Sequence, residues 1–164
     1  MSKIRIMFVC HGNICRSPMA EFIMKKLVSD IDSDLEFVIS SSATSTEEIW
    51  NGVGSPFYPH AKAELHRRGI PFSERRATLL KSEDYGNYDL FIGMDSANVR
   101  NMHRIFGSDP DGKIRKLMSF AGIDADVSDP WYSRSFDVAY DDIYNGCVAL
   151  LSQLTKNKKI SRKN

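Results

Sequence analysis

Eight residues near the N-terminus, Cys10-His11-Gly12-Asn13-Ile14-Cys15-Arg16-Ser17, constrain this chain more than any other stretch. Ahead of them runs Ile4-Arg5-Ile6-Met7-Phe8-Val9, a short apolar run rich in β-branched residues. After them, past Pro18, Met19 to Val28 carries apolar residues at helical spacing. The pattern predicts a tight strand-to-helix turn, the place where an α/β fold normally receives its ligand.

Such a turn has chemistry built in. A helix N-terminus presents unpaired backbone N–H groups and a partial positive charge of about half an electron. It therefore binds anions, phosphate above all. Gly12 lets the backbone curl closely round a ligand, and Asn13 tolerates the left-handed conformation of a tight loop. Arg16 adds a planar fork of donors that matches two phosphate oxygens. Cys10 falls at the strand end, facing the same cradle. A thiol beside an arginine and a helix terminus ionises readily and becomes a strong nucleophile. Together these residues point to phosphoryl transfer onto sulfur. A lone strand-end cysteine is usually a buried small hydrophobe, but here Cys10, Gly12, Arg16 and Ser17 occur together at one junction. The Gly-Lys-Ser/Thr ending of a nucleotide-binding loop is absent. A redox Cys-x-x-Cys is absent too, because four residues separate Cys10 from Cys15.

Composition narrows the classes. A length of 164 residues with 42% apolar content suits one domain with a real core. A net charge of +1 gives no reason to expect nucleic acid or an anionic membrane as partner. No apolar run approaches about 18 residues and no signal-like region opens the chain, so a cytoplasmic protein is expected. Three cysteines argue against a disulfide scaffold. His11, His60, His66 and His103 lack ligand spacing, so no metal or other cofactor is expected.

Along the chain, helical spacing covers about Ser17 to Ser29, His60 to Arg68, Ser96 to Ile105 and Phe136 to Leu154. Strand patterns cover Leu35 to Ser40, Tyr88 to Met94 and, more weakly, Lys113 to Leu117. Asp95 or Ser96 caps the third helix. Ser41 to Pro59 reads as loop, broken by Gly52, Gly54, Pro56 and Pro59. Strands alternating with helices predict a parallel sheet with right-handed crossovers. The expected fold is a single-domain three-layer α/β/α sandwich around a four-stranded parallel sheet of order 2-1-3-4. The domain should span residues 1–154, with 155–164 a basic, frayed tail.

A thiolate attacking a phosphomonoester expels an oxyanion that needs a proton, and a positioned carboxylic acid contributes about a hundredfold to ten-thousandfold. The candidate segment is Asp124-Ala125-Asp126-Val127-Ser128-Asp129-Pro130-Trp131-Tyr132. Composition alone does not choose among Asp124, Asp126 and Asp129. Pro130 does restrict Asp129 to an extended backbone, which would help aim its carboxyl.

Cys10-x5-Arg16-Ser17, with Gly12-Asn13-Ile14-Cys15 inside it and Pro18 behind, resembles the active-site loop of the low-molecular-weight protein tyrosine phosphatases. The likeness runs from the first strand to about Leu154. It implies that Cys10 is the nucleophile, that the amides of His11 to Arg16 and the Arg16 guanidinium bind phosphate, and that Asp129, in Asp129-Pro130-Trp131-Tyr132, is the general acid. It further implies that Ser17 steadies the thiolate and that Asn13 braces the loop with Ser41 as partner. Cys15 would pair reversibly with Cys10 under oxidation. Trp131, Tyr132 and Trp50 are candidate walls for an aryl ring, and Ile14 matches the branched residue of tyrosine-specific members where phosphoarginine phosphatases carry threonine. The expected partner is a phosphotyrosine protein or peptide, with inorganic phosphate as product, acted on by a monomer.

Two segments depart from the family pattern. Ser41-Ser42-Ala43-Thr44 replaces a Ser-Ala-Gly-Thr-like stretch, and Arg75-Arg76-Ala77-Thr78 stands nearest to a common His-x-Ala-Arg. Arg75 and Arg76 are expected to face solvent. The thioredoxin-coupled arsenate reductases share the loop but need two further cysteines downstream, and Leu79 to Leu90 contains none. A non-catalytic phosphotyrosine-binding module would have lost Cys10 or the acid, and both are present.

Overall fold

In the computed structural model, which describes residues 2–156 and 161–162, strand β1 (Lys3–Cys10) is the spine of the sheet. From Ile6 onward every residue of β1 is buried, as expected of an inner parallel strand covered on both faces. Its side chains divide by alternation. Ile6, Phe8 and Cys10 enter one core cluster, while Met7 and Val9 enter another. β1 pairs in parallel with β2 (Glu36–Ala43) on one side and β3 (Leu90–Gly93) on the other, and β4 (Ile114–Lys116) extends the sheet beyond β3. The strand order is therefore 2-1-3-4, the order expected.

Helices cover both faces. α1 (Arg16–Ser29), α2 (Pro59–Arg67) and α4 (Phe136–Thr155) bury Met19, Ile23, Leu65, Ile143 and Leu150 against the Ile6–Phe8 side. α3 (Ser96–Phe106) places Met102 on the Met7–Val9 side. Its apolar stripe is helped by an Asp95 cap, whose carboxylate accepts from the Asn98 N–H at 2.8 Å. Because the chain runs from β1 outward to β2 and then returns to β3, the loops leaving β1 and β3 diverge at their carboxyl ends. That switch point opens the crevice in which the site lies.

Several boundaries shift for physical reasons. β2 runs on through Ser41, Ser42 and Ala43, beyond the apolar pattern, because its ladder with β1 continues to the Cys10–Ala43 pair. The polar side chains there are partly satisfied: Ser40 accepts from the Tyr88 hydroxyl at 3.2 Å, and Ser41 donates to Glu21 at 2.6 Å. The stretch read as loop between Ser41 and Pro59 contains a small hairpin, Ile49–Trp50 against Val53–Gly54. Asn51 and Gly52 turn it with positive φ values of 50° and 77°, the Asn-Gly signal of a two-residue β-turn. The polar break after α1 holds a two-residue pairing of Ile31–Asp32 with Ser161–Arg162. Of the tail expected to fray, 155–164, Thr155 instead closes α4, buried and donating to the Leu151 carbonyl at 2.6 Å, because the helix runs one residue past Leu154. Residues 157–160 and 163–164 lie outside those described. No helix among the described residues is long and apolar enough to cross a membrane.

Gly146 shows how tightly α4 sits. A Cβ built there would lie 2.6 Å from Cγ of Leu117, a fully buried side chain. Gly146→Ala should therefore lower the thermal midpoint, because overpacking of about 1–3 kcal/mol outweighs the roughly 1 kcal/mol gained in helix propensity. Adding Leu117→Ala should make the double variant less destabilised than the sum of the singles in chemical denaturation. Additive losses would mean that the two residues do not meet.

Candidate active site

The loop after β1 is shaped by where its carbonyls go. Cys10 O and His11 O accept from the N–H groups of Thr44 and Ser45, Ile14 O from Tyr58, and Cys15 O from Met19. With these carbonyls engaged from outside or along α1, the intervening amides are left to the concave side. The turn itself is made by Asn13, at φ 59°, a conformation asparagine tolerates better than most residues. α1 begins with Cys15 at its cap position, without a side-chain cap and without an acidic residue in its first turn. Its N-terminal amides are therefore available to an anion.

Cys10 is buried at the end of β1, and its Sγ lies 3.0 Å from Ser17 Oγ and 3.3 Å from the Asn13 N–H. Arg16 is 4% exposed. Its Nη1 donates to Asp95 Oδ2 at 2.9 Å and to the Val127 carbonyl at 3.2 Å, while Nη2 lies 3.5 Å from Asp129 Oδ2. Burial works against the charge of Arg16, but Cys10, Asp95 and Asp129 outweigh it and hold the guanidinium protonated more firmly than usual. Asp95 thus has two tasks, capping α3 with one oxygen and orienting Arg16 with the other. Burial, followed by the neighbouring Cys10, pushes the Cys15 thiol far up.

Asp129 ends an extended stretch anchored by the Val127 N–H on the Met94 carbonyl at 2.9 Å. It caps the single helical turn Pro130–Ser133, its Oδ1 accepting from the Trp131 N–H at 3.0 Å. The three candidate aspartates separate in space. Asp124 and Asp126 both pair with Lys116, at 3.3 and 3.1 Å, and Asp126 also takes the Ser96 hydroxyl. Burial opposes ionisation of Asp126, but Lys116 and Ser96 hold its carboxyl below the usual range. Asp129 alone of the three lines the cavity above Cys10.

That cavity has a volume of about 290 Å³ and gathers Cys10, His11, Gly12, Asn13, Ile14, Cys15 and Arg16 with Asp129, Trp131 and Tyr132. Trp131 and Tyr132 stand at its mouth, 58% and 83% exposed. Trp50 does not join them. It sits 76% exposed on the small hairpin, outside the lining, whose corresponding wall is formed by Glu47 and Glu48. Glu47 Oε2 lies 2.6 Å from His11 Nε2. Ser41 also differs from expectation, since its hydroxyl is spent on Glu21 rather than on Asn13. Arg75 departs furthest. It is not in solvent but 14% exposed behind the loop, where it donates to Asn13 O at 3.0 Å and Asn13 Oδ1 at 2.8 Å. Arg76, by contrast, is fixed to the Gly54 carbonyl at 2.9 Å. Asp95, Glu47, Glu48 and Thr78 were not singled out by sequence reasoning as site residues. For Asp95 a signal existed: it follows the strand adjacent to β1, so topology delivers it to the same crevice. Among the described residues no group of three or more His, Cys, Asp or Glu side chains is placed to hold a metal ion.

Comparison with known proteins agrees with this geometry. Residues 5–160 match the family model described as low molecular weight phosphotyrosine protein phosphatase. A relative from Staphylococcus haemolyticus named low molecular weight protein-tyrosine-phosphatase PtpA is 35% identical over 159 residues, covering 96% of this chain and 97% of its own. Among solved structures, the low molecular weight protein tyrosine phosphatase SP-PTP of Streptococcus pyogenes superposes with a TM-score of 0.79 at 35% identity, over 94% of each chain. YfkJ of Bacillus subtilis superposes with a TM-score of 0.84 at 30% identity, over 97% of this chain and 99% of its own. Fold, loop and matches extend over nearly the whole sequence, and the chain belongs to the low molecular weight phosphotyrosine protein phosphatase family.

Proposed function

We propose that this protein hydrolyses phosphotyrosine in proteins or peptides, through a cysteinyl-phosphate intermediate and with Asp129 as general acid and base. The observation that carries the reading is the convergence of Cys10 Sγ, the amide-lined loop, Arg16 and Asp129 on one cavity. The phosphate's non-bridging oxygens accept from the amides of His11 to Arg16 and from Arg16, which stabilise the charge that spreads over them in the transition state. As the phosphate oxygens take up Arg16 Nη2, Asp129 Oδ2 is freed to carry a proton. The Cys10 thiolate attacks phosphorus in line, the P–O bond to the ring breaks, and Asp129 protonates the departing phenol.

Water then attacks the phosphocysteine, giving its proton to the Asp129 carboxylate. The P–S bond breaks, Cys10 returns as thiolate next to the Ser17 hydroxyl, and inorganic phosphate leaves. Trp131 and Tyr132 at the cavity mouth, with Ile14 on its lining, supply apolar surface for the aryl ring. Cys15 serves as the resolving thiol. Peroxide oxidises Cys10 to the sulfenic acid, Cys15 displaces its oxygen as water to form a disulfide, and a dithiol reductant restores both thiols.

Asp129→Ala should lower kcat by about a hundredfold to ten-thousandfold on phosphotyrosine. It should lower kcat far less on an aryl phosphate whose leaving group is already acidic, such as p-nitrophenyl phosphate, because that oxyanion needs little protonation. Equal losses on both substrates, or full activity in Asp129→Asn, would remove the acid from this reading. Cys10→Ser and Arg16→Ala should abolish turnover, and rapid acid quench of the wild type should trap phosphorus on Cys10.

Peroxide-inactivated wild type should regain activity with dithiothreitol, whereas Cys15→Ser should stay inactive as its Cys10 passes on to the sulfinic acid. Equal recovery of the two proteins would exclude Cys15 as resolving thiol.

A further inference from the structure

The contact between Cys10 and Ser17 can be polarised either way, since each group can donate and accept. What decides the direction lies behind the loop. Asn13 donates from Nδ2 to Ser17 Oγ at 2.8 Å, which occupies the hydroxyl oxygen as acceptor and leaves its hydrogen for the sulfur. An amide could present its oxygen to Ser17 instead, and the chain would then run backwards. Two donors forbid that. Arg75 Nη2 and the Thr78 N–H, at 2.8 and 3.0 Å, both point at Asn13 Oδ1 and fix that end of the carboxamide as oxygen. Arg75 Nη1 holds the Asn13 carbonyl as well, at 3.0 Å, so its fork grips the backbone and side chain of the one left-handed residue in the loop.

We propose that Arg75 is a positioning residue for the reaction, acting on Cys10 through Asn13 and Ser17 by fixing the direction of the hydrogen-bond chain that ends on the sulfur. The proposal rests on the reading of Cys10 as nucleophile. A thiolate accepts from Ser17 and from the Asn13 N–H, and both donors keep their aim only while Asn13 is held. Arg75 also brings a partly buried positive charge to the rear of the loop. Its nearest carboxylate, Glu21 Oε1 at 3.8 Å, already accepts from Ser41, and Lys25 engages the other oxygen of Glu21 at 2.7 Å. Burial draws the Arg75 guanidinium below its usual range, against the pull of Glu21 and Cys10, yet an arginine remains charged at any pH the enzyme meets. The other charged or titratable groups lining the cavity with Cys10 are Arg16, Cys15 and His11 on its own loop, Asp95 and Asp129 across the cavity, and Glu47, Glu48 and Tyr132 at the rim.

The test is made on the intact chain with two variants. Alkylation of Cys10 by iodoacetamide, a neutral probe, is followed against pH and located by mass spectrometry, beside steady-state hydrolysis of p-nitrophenyl phosphate. Arg75→Met should move the alkylation midpoint to higher pH by about one unit and reduce kcat about tenfold, with a smaller change in KM because Arg75 does not touch the phosphate. Arg75→Lys keeps a charge but not the two-pronged grip, so it should hold the alkylation midpoint nearer to wild type while still losing kcat. A folded Arg75→Met with wild-type kcat and an unmoved alkylation profile would overturn the proposal and leave Arg75 as a structural support. Should Arg75→Met fail to fold, a wild-type kcat in Arg75→Lys overturns it equally. Absence of turnover in the wild type itself would instead strike the underlying phosphatase reading.

Discussion

Everything in this molecule that bears on chemistry depends on turning the carbonyls of one short loop outward. Between the end of β1 and the start of α1 the backbone reverses over residues 11–15, and a peptide group can face a ligand with its N–H only if its C=O is satisfied elsewhere. The segment after β2 supplies two of the necessary donors, Thr44 and Ser45, and Tyr58 at the entrance to α2 supplies another. Arg75 supplies the donor for Asn13. The loop is therefore held by parts of the chain distant in sequence, and a peptide of the same eight residues would have no reason to adopt this curl. An unmade hydrogen bond on a buried carbonyl costs about 1–3 kcal/mol, so the outer donors make the concave arrangement the cheapest one.

The second constraint is electrical. On the proposed mechanism a dianion enters a site that also holds the Cys10 sulfur, and a buried charge without a partner is costly. Arg16 answers this from a position fixed before any ligand arrives, since Asp95 and the Val127 carbonyl engage one of its terminal nitrogens. The other faces Asp129 across 3.5 Å. That is a loose contact beside the 2.9 Å bond to Asp95, and it sits on the solvent side of the guanidinium. The arrangement separates a structural carboxylate from an exchangeable one. Asp95 is locked at the cap of α3, whereas Asp129 is more exposed, on a short segment between an anchored Val127 and a single helical turn. The proposed role of Asp129 as general acid requires it to gain and lose a proton during turnover, and its weaker grip on Arg16 suits that role.

Much of this was legible in the sequence, and the misses have a common cause. The strand-loop-helix junction announced itself because its residues are contiguous and each local signal agrees with the next: apolar run, glycine, asparagine, arginine at a helix start. The parallel sheet followed from alternation of elements. What escaped was contact between segments remote in sequence. Arg75 looks like surface because arginine usually is, and only the fold reveals that the carbonyl and carboxamide of Asn13 lie behind the loop to receive it. Ser41 was given to Asn13, yet β2 runs three residues past its apolar pattern, and Ser41 meets Glu21 on α1. Trp50 is a candidate wall by sequence, and the Asn51-Gly52 turn carries it onto an exposed hairpin outside the cavity lining.

The same division runs through the site itself. Its floor is built from groups almost without exposure: Cys10, Asn13, Arg16 and Ser17, each held by bonds to other buried groups. Its rim is built from Glu47, on a turn, and Trp131 and Tyr132, on the single helical turn, all of which stand in solvent. Interiors this closely packed respond to small changes in volume, whereas surface segments accept substitution at little cost in stability. A change on the floor disturbs a network of buried hydrogen bonds, and on the proposed mechanism it alters the reaction. A change on the rim leaves that network intact and alters only what is presented to it. On the proposed function, chemistry and choice of substrate are thus carried by separable parts of the chain, and the boundary between them is Asp129, which hangs from the rim by its backbone and reaches toward Arg16 by its carboxylate.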